Sequence, residues 1–137
     1  MKKVYLLNFV IFFISIGIIS DDYIESIKIQ SDRVEFIDST NKVNFLSNVN
    51  INSDYIEIKA SSAIYDDESK TFIISGMPSK IKSSRKNNLF DGVAEEILFF
   101  NDEKVHLIGS ATMRYENISI SSDLIIFNPK TGKISSE

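Results

Sequence analysis

Between Ser31 and Ile51 the chain reads SDRVEFIDSTNKVNFLSNVNI, with apolar side chains two apart at Val34/Phe36, Val43/Phe45 and Val49/Ile51. Polar residues interrupt these pairs at Asp38–Asn41 and at Ser47-Asn48. Side chains alternate between the two faces of a strand, so this spacing puts one apolar and one polar face on each segment. Wound as a helix, the same residues would scatter around the axis. A half-buried antiparallel strand is the conformation that gathers them.

The pattern recurs. Small residues open aligned segments at Ser31, Ala60, Ala94 and Ser122. Three positions later come Val34, Ala63, Ile97 and Ile125, and five positions later the aromatics Phe36, Tyr65, Phe99 and Phe127. Aromatics are only 11% of the chain, so four in register point to a repeat. A tighter match runs at an offset of 62 residues: Asp54–Ile58 against Glu116–Ile120, and Ile64–Asp66 against Ile126–Asn128. Gly76, Gly92, Gly109, Gly132, Pro78 and Pro129 fall at the ends of alternating runs, where corners are expected. The reading is an all-β chain: an antiparallel jelly roll or folded-over sheet of about 14 short strands. These form four repeated units, with no helix after residue 22.

The N-terminus has a different character. Met1-Lys2-Lys3 is basic and Val4–Ile19 is almost continuously apolar, ahead of Ser20 and Asp21-Asp22. This is the layout of a secretory signal peptide over residues 1–20, followed by one domain over 21–137. Bulky Ile18 at the position where a small residue is usual leaves an uncleaved anchor as the alternative. Either way the domain is exported. The absence of cysteine excludes a disulfide framework and thiolate metal sites. The formal charge is −4, and loss of Lys2 and Lys3 leaves 13 basic residues against 19 acidic ones, which argues against nucleic acid as a partner.

Folding some 14 strands into two layers stacks about seven rungs at about 4.8 Å spacing, a length of roughly 30 Å. The inward rungs are Ile27/Ile29, Val34/Phe36, Val43/Phe45, Val49/Ile51, Ile56/Ile58, Phe72/Ile74, Ile97/Phe99, Val105/Leu107, Ile118/Ile120 and Phe127. They either fill a closed core or line a groove for a lipid, each buried methylene of which contributes about 0.8 kcal/mol. Periodicity does not choose between the two.

Catalytic chemistry finds little support. The single histidine, His106, lies between Val105 and Leu107 and therefore on the outward face, with no matched nucleophile or base. Glu95-Glu96 would point to opposite faces of a strand, and Asp66-Asp67 reads as a turn. There is no phosphate-cradling glycine loop, no metal-ligand spacing and no sign of a cofactor. The densest basic patch is Lys80, Lys82, Arg85 and Lys86.

The ordered set of motifs resembles the OstA-like family of periplasmic lipopolysaccharide-transport proteins, most closely its LptA branch. The matching stretches are Ile27–Asp32, Val43–Ile51 with Asn48-Val49, Ile56–Ala60, Gly76-Met77-Pro78, Ala94–Phe99, Gly109–Ala111 and Asn117–Phe127. Two departures are Ser47 for the family's usual glycine and Ser61 for the aspartate of an Ala-Asp pair. A third is the end at Glu137, which shortens the expected C-terminal edge strand. The resemblance implies a jelly roll whose groove holds lipid A acyl chains, with Ile27, Ile29, Ile81 and Phe99 facing the lipid. Alternation adds Phe36, Phe45, Ile58 and Leu107. Lys80, Lys82, Arg85 and Lys86 are candidates to meet head-group phosphates. The implied partners are lipopolysaccharide, an inner-membrane LptC-like and an outer-membrane LptD-like component, and further copies joined end to end. The alternatives are a membrane-anchored LptC-like protein and a structural envelope β-repeat protein without ligand.

Overall fold

The computed structural model describes residues 10–12, 27–86, 89–102 and 104–136. Its ten strands are β1 (Val10–Phe12), β2 (Lys28–Ser31), β3 (Arg33–Ile37), β4 (Lys42–Asn52), β5 (Ile56–Asp66), β6 (Thr71–Ser83), β7 (Phe90–Phe100), β8 (Val105–Tyr115), β9 (Ile118–Phe127) and β10 (Ile134–Ser136). They form one antiparallel sheet in the order β1-β2-β4-β5-β6-β7-β8-β9-β10, with β3 also paired to β4. The two ends of this order do not pair, so the sheet is open rather than a closed barrel. Among the described residues there is no helix. The leader expected over residues 1–20 lies outside the described residues except for Val10–Phe12, which pair with Ile29–Ser31.

The expected 14 short strands are a miscount. Ser47-Asn48, Ser75-Gly76 and Gly109-Ser110 read in the sequence as turns that reverse the chain. In the structure they lie inside strands of 11 to 13 residues that bend and continue. Register slips at Leu46/Val49, Lys59/Ser62, Ser75/Ser79, Val93/Glu96 and Ile108/Ala111, each at mid-strand and each level with the next. A bulge bends its strand and increases the twist. A row of bulges across a sheet is a fold line, and it divides the sheet into two layers.

Local chemistry sets the line. In β4, Ser47 and Asn48 have φ of 66° and 52°; in β8, Gly109 and Ser110 have 84° and 44°. Two left-handed residues in succession carry the strand round the corner while keeping odd-numbered side chains inward on both sides of it. The cost for a non-glycine residue is of order 1–2 kcal/mol. The β2/β3 corner is tied to that of β4 by Asp32 N–H donating to Ser47 O (2.9 Å) and Asn48 Nδ2 donating to Asp32 Oδ2 (2.6 Å).

The 62-residue offset is visible in the backbone as well. It relates the β4 and β8 corners, and it relates two hairpin turns. Asp66 Oδ1 accepts from the N–H groups of Glu68 (3.0 Å) and Ser69 (3.4 Å), ahead of Lys70 at φ 56°. Asn128 Oδ1 accepts from Lys130 (3.0 Å) and Thr131 (3.2 Å), ahead of Gly132 at φ 76°.

The layers face each other across the apolar side. Gly92 lies beyond the fold line from Leu107, yet a Cβ on Gly92 would be 3.1 Å from Leu107 Cδ1 and 3.0 Å from Thr112 O. Phe90 and Phe127, also from opposite layers, have ring centroids 4.5 Å apart. The outer face carries charges of alternating sign on neighbouring strands: Glu57 and Lys82 at 3.5 Å, then Asp91 and Arg114 at 2.8 Å.

Candidate functional site

Every strand from β2 to β9 contributes to one apolar face, and pairing arranges that face in rows. In the layer built from the turn-proximal halves of β3 to β9, one row runs Val34, Phe45, Ala63, Ile74, Ile97, Leu107 and Ile125. Beside it runs Phe36, Val43, Tyr65, Phe72, Phe99, Val105 and Phe127. The second layer contributes Ile29, Ile51, Ile58, Ile81, Gly92, Met113 and Ile120. The first row is closed to solvent along its whole length, with no member above 1% exposure. The aromatic row is a partial stack, with Tyr65–Phe72 centroids at 4.7 Å and Phe72–Phe99 at 6.2 Å. Such a surface offers dispersion contacts and exclusion of water over its length, and almost no chemistry.

Polar atoms interrupt it. Among the described residues, the Tyr65 hydroxyl and Ser79 Oγ are buried without a hydrogen-bond partner. Burial pushes the Tyr65 phenol up from its ordinary pKa of 10.0, so it remains a neutral donor. On the outer face, His106 is half-buried against the Phe100 ring (4.7 Å), and desolvation holds its pKa below the ordinary 6.5, with Lys104 adding to the effect. Among the described residues, no three of His, Asp and Glu gather as metal ligands.

Residues 28–133 match the family model described as LptA/(LptD N-terminal domain) LPS transport protein. The chain belongs to this family. It is a family of transport proteins rather than enzymes. The fold agrees with the crystal structure of LptH, the LptA homologous periplasmic component of the conserved lipopolysaccharide transport device from Pseudomonas aeruginosa. That likeness has a TM-score of 0.71 at 15% identity, over 80% of each chain. No curated protein matches the sequence.

The LptA-like sheet distributes the expected groove residues as follows. Ile29, Ile58 and Ile81 share the second-layer row, Phe45 and Leu107 share the first row, and Phe36 and Phe99 share the aromatic row. Ile27 is half-buried and packs against the same core. All eight are therefore on the inner side. The basic residues do not converge. Lys80 and Lys82 are exposed on the outer face of β6, and Lys82 faces Glu57. Arg85 lies 4.0 Å over the Tyr55 ring and donates from Nε to Asp54 O (3.4 Å), while Lys86 is exposed in the loop.

Several inner residues escaped the sequence reading. Met113 is 1% exposed and lies 62 positions after Ile51, so the offset already seen in the sequence pointed to it. Phe90 begins β7 with no alternating partner before it, and nothing local marks it as inward.

Proposed function

We propose that the protein is a periplasmic lipopolysaccharide carrier and bridge subunit that shields lipid A acyl chains between its two layers. The observation that carries this reading is the inner apolar face that runs across every strand from β2 to β9, in a member of a lipopolysaccharide-transport family. A water-filled gap between membranes opposes transfer of acyl chains by about 0.8 kcal/mol per methylene, and a lining many strands long offsets that cost. In the free protein the first row is closed along its length, so chains reach it by separating the layers. The eight residues Ile27, Ile29, Phe36, Phe45, Ile58, Ile81, Phe99 and Leu107 are proposed as the contact set. A photo-crosslinker at Phe99 is expected to label lipopolysaccharide, and one at His106, on the opposite face, to leave it unlabelled. Equal labelling at the two positions would defeat the assignment.

The edges support end-to-end assembly. Among the described residues, β10 pairs only with Ile125–Phe127 of β9, and no further described strand lies outside Ile118–Ser121. At the other end of the same layer, the edge of β2 is occupied by Val10–Phe12. Cleavage after Ser20 removes that strand and exposes β2, giving two complementary edges per subunit for head-to-tail pairing. Retention of the leader instead gives the second reading, a membrane-anchored LptC-like component, in which the apolar run holds the chain to the membrane. N-terminal sequencing of exported protein decides between them: a start at Met1 supports the anchored form, and a start at Asp21 the bridge subunit.

A further inference from the structure

The aromatic row is sealed at one end and accessible at the other. At the β9 end, Phe127 is covered from the opposite layer by Phe90 and by Tyr115, whose ring centroids lie 4.5 and 6.2 Å away. At the β3 end, Phe36 and Val43 are only half-buried and line a pocket of about 420 Å³. Its other walls are Tyr65, Ile37 and polar residues in and beside the adjoining turns, among them Asp38, Lys42 and Asp67. All of its lining comes from one layer.

Tyr65 stands out in this wall. The residue is 5% exposed, its ring is seated against Phe72, and its hydroxyl is buried without a partner among the described residues. The three residues aligned with it on β3, β7 and β9 are Phe36, Phe99 and Phe127, so a phenylalanine satisfies this position in the row. A buried hydroxyl left unsatisfied opposes folding, and in a native structure it needs an account. Its burial also disfavours ionisation, which leaves it a donor in search of an acceptor.

We propose that the β3–β5 end is the mouth of the interior, and that Tyr65 there donates a hydrogen bond to an ester or amide carbonyl of an acyl-chain lipid. The hydrocarbon beyond that carbonyl runs inward over Phe72 and Phe99. The polar head lies against the charged turns, whose mixed signs leave room for both phosphate and hydroxyl groups. This rests on the lipid-carrier reading and adds the point at which the lipid passes from polar to apolar.

The test uses Tyr65→Phe in the full exported protein, with lipopolysaccharide affinity and the lipid-free thermal midpoint as readouts. The variant is expected to bind lipopolysaccharide about 3- to 10-fold more weakly, the equivalent of one neutral hydrogen bond. Its lipid-free midpoint is expected to be equal to or above that of the wild type. A diester phosphoglycerol competitor should weaken by the same factor, and its diether analogue, which has no carbonyl, should compete equally against both proteins. Unchanged lipopolysaccharide affinity overturns the inference and leaves the carrier reading in place. So does a lowered midpoint, which would give the hydroxyl a partner in the free protein, or an equal loss for the diether. Failure of the wild type to bind lipopolysaccharide at all overturns the carrier reading and this inference with it.

Discussion

The approach of Leu107 to Gly92 gives a quantitative test of the folded-over arrangement. On a flat sheet these residues would be far apart: Gly92 pairs with Met113 and Leu107 with Ile97, five residues away along β7. They meet because the bulges at Val93/Glu96 and Ile108/Ala111 bring the layers face to face. In Gly92→Ala the new Cβ would be 3.1 Å from Leu107 Cδ1 and 3.0 Å from Thr112 O, against a best carbon–carbon separation of about 3.5–4.0 Å. Overpacking of this kind costs about 1–2 kcal/mol. Leu107→Ala empties a site that is 1% exposed and costs about 2–5 kcal/mol. In the double variant the added methyl no longer meets Leu107 and occupies part of the space it left. The clash with Thr112 O remains, so relief is partial. The double variant is therefore expected to be about 1 kcal/mol more stable than the sum of the single losses predicts. Urea unfolding of the four proteins measures this directly from midpoints at a common slope. Additivity within about 0.5 kcal/mol would mean that the two side chains do not touch, and the layers would not be closed as described.

Two further outcomes follow from the outer face and the free edge. His106 has a folded pKa below its ordinary 6.5 because burial disfavours the imidazolium, so protonation favours the unfolded chain. Its contribution is present above about pH 6.5 and is lost as the pH falls through that value towards the folded pKa. His106→Gln should flatten this part of the stability profile between about pH 7.5 and pH 5; an unchanged slope would show that the ring is not desolvated. Ile118 is 60% exposed at the start of β9, and Ile118→Lys should reduce a concentration-dependent rise in light-scattering mass, since charge on an edge opposes strand addition. A mass that stays monomeric for the wild type would remove the assembly proposal, and an undiminished rise in the variant would move the contact elsewhere.

Much of the fold was legible because strand periodicity is local and sheet registry extends it. Spacing alone aligns Val34, Ala63, Ile97 and Ile125, and likewise Phe36, Tyr65, Phe99 and Phe127. In the structure each set occupies one row, on β3, β5, β7 and β9. The openers Ser31, Ala60, Ala94 and Ser122 are small because they lie at or beside the fold line, where the layers begin to close on each other. What periodicity could not report is whether a polar break reverses a strand or only bends it. Ser47-Asn48 and Asp38–Asn41 are equally polar, yet the first is a corner within β4 and the second a hairpin turn. The distinction depends on hydrogen bonding to the neighbouring strand, here from Asp32 N–H to Ser47 O, which no local window contains.

The same limit applies to the candidate site. Inward and outward faces follow from alternation, so all eight expected groove residues fall on the inner side and His106 on the outer. Contacts across the two layers have no signature in spacing. Gly92 looked like a strand end and is an inner position whose missing side chain admits Leu107. Tyr65 looked like one more aromatic in a column of four, and its single extra atom is what distinguishes the accessible end of the interior from the end sealed by Phe90. A site made of dispersion contacts repeats along the sheet and is written in the repeat. The Tyr65 hydroxyl is where the aromatic column departs from itself, and its meaning depends on what the opposite layer leaves uncovered.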